Sequence, residues 1–128
     1  MVENEMNVKL IDFGASVEIE GTQHTEMEFK GSLPWTAPEV IKLKKISKQS
    51  DIWSYGCTLL EMSTGKLPWE FDNFLQAIHR IGNGTDIPVV PATLPENLRN
   101  IILSCLSRDY TERPSAEQLL RHPFFGTK

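Results

Sequence analysis

The chain has 128 residues, of which 40% are hydrophobic and 23% charged, and its formal net charge is −4. This length and composition are ordinary for one globular domain with its own core. The negative charge argues against a nucleic acid or an anionic membrane surface as the main partner. No apolar run approaches the ~18 residues of a transmembrane helix, and the acidic N-terminal residues do not resemble a signal peptide. We therefore predict a cytoplasmic protein with no membrane and no nucleic-acid partner.

The two cysteines, Cys57 and Cys105, each lie within an apolar helical pattern. Cysteines in that setting are typical of small core residues in a reducing compartment. The sequence therefore predicts neither a disulfide framework nor a cysteine metal site.

The first predicted element is a short strand in residues 8–16, VKLIDFGAS. Asp12 should lie where this strand ends, because Asp is a poor strand former and Gly14 allows the backbone to turn. A carboxylate at that place points into whatever cleft the strand faces. Taken alone, residues 12–14 are equally consistent with an ordinary turn.

A long polar stretch without sustained periodicity follows in residues 15–35. Loops of this length in a small domain are usually functional or disordered. The sequence TAPEVIKL then predicts a short helix, in which Thr36 and Glu39 have the spacing of a capping box.

Four further helices are predicted, so the fold class is mainly α, with a short N-terminal strand or two and about five helices. Residues 50–65 are apolar nearly all round, which is typical of a central, buried helix, and Gly65 is a natural C-terminal stop. The apolar residues of segment 71–78 have the i, i+3, i+4, i+7 spacing of a surface helix that starts after Asp72.

The remaining two helices follow a connector rich in Gly and Pro, residues 82–95. Apolar spacing predicts an amphipathic helix across residues 98–106. A last short helix is predicted from SAEQLL, where Ser115 and Gln118 again have capping-box spacing.

Five short motifs occur in a fixed order along the chain, and they are DFG at 12–14, APE at 37–39, SDIWSYG at 50–56, GKLPW at 65–69 and RP at 113–114. This order resembles the second half of the protein kinase C-terminal lobe, over essentially all of 1–128. SDIWSYGCTLLEMSTGKLPW and ERPSAEQLLRHPFF are most similar to the MAP kinase kinase kinase branch. The resemblance implies part of an α+β kinase-like parent fold, with 12–39 as the activation segment and 40–125 as the helical lobe.

The resemblance also implies a fragment of an ATP-dependent Ser/Thr protein kinase, whose protein substrate would be a downstream MAP kinase kinase. In that family the DFG aspartate binds the Mg²⁺ that bridges the ATP phosphates, and Asp12 takes this position. Phe13 would pack into the core and help to set active or inactive states. Gly14 would give the backbone the freedom for that switch.

Within the implied activation segment, the regulatory phosphorylation candidates are Ser16, Thr22 and Thr25. A phosphate on such a residue pairs with arginines and orders the loop, although each hydroxyl is equally well explained as a solvated loop residue. Ser32 resembles the small hydroxyl residue that contacts the catalytic Asp of Ser/Thr kinases, which implies a place in the active-site floor. Because Leu33 and Pro34 depart from the usual GTPYWMAPE, and WTAPE also occurs in tyrosine kinases, Ser/Thr specificity stays open.

Three residues have structural roles by the same resemblance. Glu39 resembles the acid that pairs with a buried arginine, here Arg113. Capping of its own helix is the competing role, and the two roles are compatible with each other. Asp51 resembles the helix residue that anchors the catalytic-loop backbone. Its alternative role is to interact with the helix dipole as an N-terminal acid.

Three parts of a complete kinase site do not occur in these 128 residues: the glycine-rich loop, the ATP-binding lysine and the HRD catalytic loop with its base. HRI at 79–81 and GNGTDI at 82–87 do not replace them. We therefore expect the 128 residues alone to be inactive and to bind neither ATP nor Mg²⁺ tightly. The alternative function is a non-catalytic, kinase-like interaction module that uses the helix around 71–78.

The helix around Trp53 would normally bury one face against elements that are not in this sequence. Losing roughly 400 Å² of apolar burial costs about 10 kcal/mol at ~25 cal/mol per Å². That is comparable with the whole stability of a domain, about 5–15 kcal/mol. We therefore expect the chain to cover this face by self-association.

Overall fold

The computed structural model describes residues 8–19, 25–26 and 32–126. This part of the chain contains five α-helices: α1 (Pro38–Leu43), α2 (Lys48–Thr64), α3 (Phe74–Asn83), α4 (Glu96–Cys105) and α5 (Ala116–Leu120). Short 3-10 helices lie at Leu33–Trp35, Tyr110–Glu112 and Pro123–Phe125. Two-residue strands β1 (Thr25–Glu26) and β2 (Lys45–Ile46) pair antiparallel, with Thr25 opposite Ile46. The prediction of a mainly α fold with about five helices is confirmed.

Helix α2 is the centre of the fold, and α4 packs along it. Gly56 makes this close approach possible, because a Cβ added there would lie 2.6 Å from Cβ of Cys105. The side chains of Trp53, Cys57 and Leu60 on α2, and of Ile101 on α4, are fully buried in the core between them. The prediction that the helix after residue 50 is central is therefore confirmed.

The ends of the helices follow local sequence signals. Gly65 ends α2 in the left-handed conformation, with φ +69°, as predicted. Ser115 and Gln118 form the predicted capping box of α5, because each side chain accepts a hydrogen bond from the backbone N–H of the other. At the start of α2, the Ser50 Oγ accepts from the Ser47 backbone N–H at 3.2 Å, so this helix begins earlier than predicted.

The predicted start of α1 is wrong by one residue. Ala37 is the N-cap, and no side chain caps the helix. The Thr36 hydroxyl donates instead to the backbone carbonyl of Ser32 at 2.8 Å, while Glu39 takes part in a buried ion pair. The capping role considered for Glu39 is thereby excluded, because its carboxylate points to a partner distant in sequence.

The apolar face predicted for α3 is also partly wrong. Asn73 caps the helix, which begins at Phe74, and the side chains of Phe74 and Leu75 are exposed. The buried face carries Ala77 and Ile81. The predicted start after Asp72 is close to the observed one, but the spacing of the apolar residues did not show that the side carrying Ala77 and Ile81 is the one that packs on the core.

The N-terminal segment, residues 8–16, does not form the predicted strand. Within the described residues, no backbone hydrogen bond joins positions 8–11 to another segment. The apolar side chains of this segment are 67–86% exposed, and they are Val8, Leu10, Ile11 and Phe13. A strand needs a neighbouring strand for its hydrogen bonds, and none is present here among the described residues.

The helices do not include a membrane span. Among residues 8–19, 25–26 and 32–126, none is both long enough and apolar enough to cross a bilayer.

Candidate functional site

Asp12 has a backbone conformation that is uncommon for a residue with a side chain. Its φ is +62°, which places it in the left-handed region, and its Oδ1 accepts a hydrogen bond from the Gly14 N–H at 3.3 Å. From the sequence we expected Gly14 to have the unusual backbone conformation, but the positive φ is at Asp12 itself. Such conformations are over-represented at functional sites. The result is an exposed carboxylate fixed over a tight turn.

Phe13 does not pack into the core, contrary to the sequence prediction. Its side chain is 67% exposed. The physical reason is that residues 8–16 are exposed as a group, so the described helices offer no pocket for the ring.

The phosphorylation candidates differ in what is known of their position. Ser16 is exposed, and its backbone N–H closes a turn onto the Phe13 carbonyl at 3.0 Å. Thr25 lies on β1, opposite Ile46. Thr22 lies outside the described residues. The roles of all three remain predictions.

Ser32 is exposed and immediately precedes the 3-10 helix Leu33–Trp35. Its backbone carbonyl accepts from the Thr36 hydroxyl at 2.8 Å and from the Trp35 N–H at 3.3 Å. The backbone at Ser32 is therefore held by two hydrogen bonds, and the residue is exposed. This arrangement is compatible with the predicted place in an active-site floor.

Helix α2 fixes this segment through two further hydrogen bonds. The Ser54 hydroxyl donates to the backbone carbonyl of Trp35 at 2.7 Å. At the other end of the side chain, the Trp35 indole Nε1 donates to Glu61 Oε2 at 2.8 Å. The sequence analysis missed both Ser54 and Glu61, because only the tertiary structure brings together residues so far apart in sequence.

The predicted pairing of Glu39 with Arg113 is present in the structure. Arg113 Nη1 lies 2.7 Å from Glu39 Oε1, and Arg113 Nη2 lies 2.9 Å from Oε2, so the pair is bidentate. The Arg113 side chain is fully buried and that of Glu39 is 4% exposed. Ser50 adds a third hydrogen bond to the carboxylate at 3.1 Å.

The other contacts of Arg113 extend this network. Its Nε donates to the Ser107 carbonyl at 2.7 Å, and its Nη1 donates to the Gln49 carbonyl at 2.9 Å. The guanidinium also lies 5.1 Å from the ring centroid of Trp53. Buried charges are tolerated when they are paired and hydrogen-bonded in this way. Arg113 therefore joins α1, the start of α2 and the segment after α4.

Asp51 lies in the first turn of α2, and its surroundings differ from those of Glu39. Desolvation raises the pKa of the Asp51 carboxyl above its ordinary value. Its carboxylate makes no hydrogen bond or ion pair with any residue in the described part of the chain. The position in the first turn is the one that the helix-dipole role requires, and both this role and the anchoring role stay predictions.

Metal ligands and reactive thiols do not cluster in the described part of the chain. No group of three or more His, Cys, Asp or Glu side chains occurs there. Burial raises the pKa of Cys57 to about 12 and that of Cys105 to about 11. Both thiols are free and buried, in agreement with the prediction of core residues.

Comparison with known proteins gives the family. The family model described as "Protein kinase domain" matches residues 1–125. The chain belongs to the protein kinase domain family. Its membership accounts for the fixed order of the five motifs and for a mostly helical fold, as in a part of the kinase C-terminal lobe.

Individual relatives of this kinase-family chain are MAP kinase kinase kinases. It is 43% identical to mitogen-activated protein kinase kinase kinase 3 of Arabidopsis thaliana over 97% of the chain and 20% of that protein. Identity to the kinase kinase kinase YODA of the same organism is 42%, over 97% of the chain and 14% of the relative. Identity to mitogen-activated protein kinase kinase kinase A of Dictyostelium discoideum is 38%, over 97% and 13%. The chain thus spans a fifth or less of the length of these three relatives.

Proposed function

We propose that these residues form the C-terminal part of the catalytic domain of a Ser/Thr protein kinase that acts in a MAP kinase cascade. The reaction is transfer of the ATP γ-phosphate to a Ser or Thr hydroxyl of a protein substrate, which we take to be a downstream MAP kinase kinase. The observation that carries the proposal is Asp12, whose exposed carboxylate lies in a left-handed turn within the DFG motif. The kinase kinase kinase relatives support the branch.

Asp12 fits a role as one ligand of a magnesium ion. Mg²⁺ prefers oxygen ligands and is often held by only one or two carboxylates together with phosphates and water. The single exposed carboxylate at Asp12 matches this requirement, and no larger group of acidic side chains lies in the described residues. When bound, the ion neutralises charge on the ATP phosphates. Because the glycine-rich loop, lysine and HRD motif are not among these 128 residues, we propose that they alone bind Mg·ATP weakly and are inactive.

The other site residues support the same function through position. We assign Ser32 to the active-site floor beside the acceptor, because its backbone is anchored while its side chain is exposed. Asp51 is exposed in the first turn of α2, and its carboxylate has no partner in the described part of the chain. This supports a role in holding the backbone of a catalytic loop. The Glu39–Arg113 pair fixes the APE helix α1 against α2.

A phosphoryl-transfer assay tests the proposal. A full-length kinase that contains these residues is incubated with Mg·ATP and with a MAP kinase kinase as acceptor. The catalytic lysine of the acceptor is substituted so that it does not phosphorylate itself. We expect phosphate on Ser or Thr of the acceptor, and its loss in the Asp12→Ala variant. Phosphorylation that is unchanged by Asp12→Ala, or that occurs only on Tyr, would contradict the assignment.

Mg·ATP binding by the 128 residues alone is measured separately by calorimetry, with Asp12→Ala as the control. We expect no detectable binding. Binding that is lost in the variant would mean that the chain forms a nucleotide site on its own, against the proposal.

A second candidate function is a non-catalytic interaction module, and the surface of α3 favours it. Phe74 is 62% exposed and Leu75 is 77% exposed on this helix. Exposed apolar side chains next to each other are typical of protein contacts. An intact acceptor assay with no phosphoryl transfer, together with capture of a partner that Phe74→Ala abolishes, would favour this function.

Self-association and cellular location complete the proposal. The face of the helix around Trp53 is buried, so the exposed surface expected there is not found. The exposed apolar side chains of residues 8–13 instead support association between copies of the 128-residue chain. Light scattering tests this, and a monodisperse monomer would contradict it. A cytoplasmic location is supported by the two free, buried cysteines.

A further inference from the structure

A concentration of positive charge lies where the chain passes from α1 to α2. This lysine run, residues 42–48, contains Lys42, Lys44, Lys45 and Lys48. Lys45 is half-buried and the other three are exposed. None of the four forms an ion pair with a residue in the described part of the chain. Because the chain as a whole has a formal net charge of −4, this local surface of opposite sign favours an acidic partner.

The same chain contains a stretch of complementary charge. This acidic segment, residues 18–28, has no lysine or arginine and carries Glu18, Glu20, Glu26 and Glu28. Glu18 is exposed, and residues 20–24 and 27–28 lie outside the described residues. The acidic segment is therefore a candidate partner of the lysine run by charge alone.

The backbone brings the two stretches together. Strand β1 belongs to the acidic segment and β2 to the lysine run, and their antiparallel register places Glu26 opposite Lys45. Opposite charges at directly opposed positions stabilise an antiparallel pair. The described sheet has only these two strands, of two residues each. So short a pair is marginal on its backbone hydrogen bonds alone, which leaves charge attraction as the main source of further stability.

We propose that the lysine run is a docking surface for the acidic segment of the same chain, and that charge attraction holds this segment against the helical core. An occupant from the same chain is favoured over a separate acidic protein, because the short connection between the two stretches gives a high effective concentration. The strand register also points to this occupant directly.

The docked segment carries Thr25, which gives the surface a regulatory consequence. This step rests on the proposed function, in which Thr25 is a candidate phosphorylation site. Thr25 is opposite Ile46, so Lys44 and Lys48 occupy the diagonal positions on either side of its partner. A phosphate adds about −1.5 to −2 charges at pH 7. Phosphorylation of Thr25 therefore strengthens the docking.

Hydrogen exchange of the backbone amides tests the docking in a full-length kinase that contains these residues. The single variants Lys45→Glu and Glu26→Lys are compared with the double variant, in which the two charges are exchanged. We expect exchange at residues 25–26 to become about two- to fivefold faster in each single variant. The double variant should restore the original rate. Lys66→Glu reverses an exposed lysine outside the run and should have no effect.

Salt and phosphate extend the test. Raising the salt concentration from about 0.1 M to about 1 M should speed exchange at residues 25–26 in the unsubstituted kinase, because salt screens exposed charges. Phosphothreonine incorporated at position 25 should slow it. This slowing should be reduced in the Lys44→Ala/Lys48→Ala variant.

Unchanged exchange in Lys45→Glu, or a double variant no slower than the single ones, would overturn the docking. So would protection of the lysine run that appears only after a second, acidic protein is added. Phosphothreonine without an effect on exchange would overturn the regulatory step. Hydrogen exchange needs no phosphoryl transfer, so a failure of the proposed function in the acceptor assay is distinguished from a failure of the docking.

Discussion

Apolar side chains of the same type are buried in the helical core but exposed in the N-terminal segment, residues 8–16. Ile101 of α4 has no exposed surface, whereas Ile11 is 83% exposed. The core is joined by a buried ion pair and close helix packing, while the N-terminal segment has only local turns. The candidate metal ligand Asp12 nevertheless lies in the latter. The comparison indicates that one region supplies the stability of the chain and the other supplies a chemical group.

This division agrees with a general property of enzymes. Segments that bind ligands are usually drawn from the least stable parts of a fold. A run of exposed apolar side chains is also typical of a surface that another element covers. The N-terminal segment combines both features, which is why we propose that it is completed by other parts of a kinase or by a second copy of the chain.

The largest expected effect on stability is that of removing the buried cation Arg113 from the helical core. Arg113→Ala leaves the Glu39 carboxylate buried without its cation, and removes the contacts to the Ser107 and Gln49 carbonyls. Breaking a buried pair in this way costs about 3–5 kcal/mol. We expect the free energy of unfolding in urea to fall by about this amount.

The matched control is Arg121→Ala. Arg121 pairs with Glu117 at 2.9 Å, but both side chains are more than 70% exposed. Pairs of this kind contribute about 0.3–0.5 kcal/mol. An equal loss in both variants would mean that the buried network does not dominate the stability of the core.

The next prediction compares the loss of an isoleucine side chain in the helical core with the same loss in the N-terminal segment. Ile101→Ala removes a fully buried side chain, and we expect a loss of about 2–5 kcal/mol. Ile11→Ala removes an exposed one, and we expect a change within about 0.5 kcal/mol. Both are measured by urea unfolding at low protein concentration. If the chain self-associates through residues 8–13, Ile11→Ala should become destabilising as concentration rises, and a constant value would oppose that proposal.

A smaller effect comes from pH. Burial raises the pKa of Cys57 and Cys105 in the folded state, so the folded chain keeps these protons when the unfolded chain has lost them. Stability is therefore fully present below the unfolded pKa of about 8.5 and falls as pH rises toward the folded values. We expect the two thiols together to cost about 2–3 kcal/mol between pH 7.5 and 9.5.

The pH dependence is tested by urea unfolding of the Cys57→Ala/Cys105→Ala variant, which should show a much flatter slope over the same range. Ala15→Cys provides the comparison with the N-terminal segment, because position 15 is exposed and a thiol there titrates alike in both states. A slope that persists without Cys57 and Cys105 would assign it to other groups.

The sequence predicted best what depends on local signals. Gly65, Ser115 and Gln118 mark helix ends through interactions with neighbours in the chain, and their effects are confirmed. The apolar face of α3 was predicted only in part, because the spacing of apolar residues does not show which side of the helix its neighbours cover. The strand at 8–11 failed for a different reason, since a strand depends on a partner that local sequence does not identify.

In the candidate site, too, some features were predictable from the sequence and others depended on partners distant in sequence. The position of Asp12 follows from a motif, and the pairing of Glu39 with Arg113 follows from family resemblance. The hydrogen bond between Trp35 and Glu61 was not predicted, because the two motifs that contain these residues do not show which of their side chains meet across 26 positions. Contacts of this kind are set by packing in three dimensions and become visible only in the structure.

The smallest expected effect on stability is that of a substitution at Asp12, in the N-terminal segment. Asn tolerates the left-handed conformation as Asp does, so Asp12→Asn keeps the turn and removes the charge. Because the side chain is exposed, we expect the free energy of unfolding to change by less than about 0.5 kcal/mol. In an active kinase that contains these residues, the same substitution should abolish phosphoryl transfer, since a neutral amide is a poor magnesium ligand. Urea unfolding and an acceptor assay on the same variant therefore separate the two regions: activity lost with stability kept is expected, and a joint loss would show that the N-terminal segment also holds the fold.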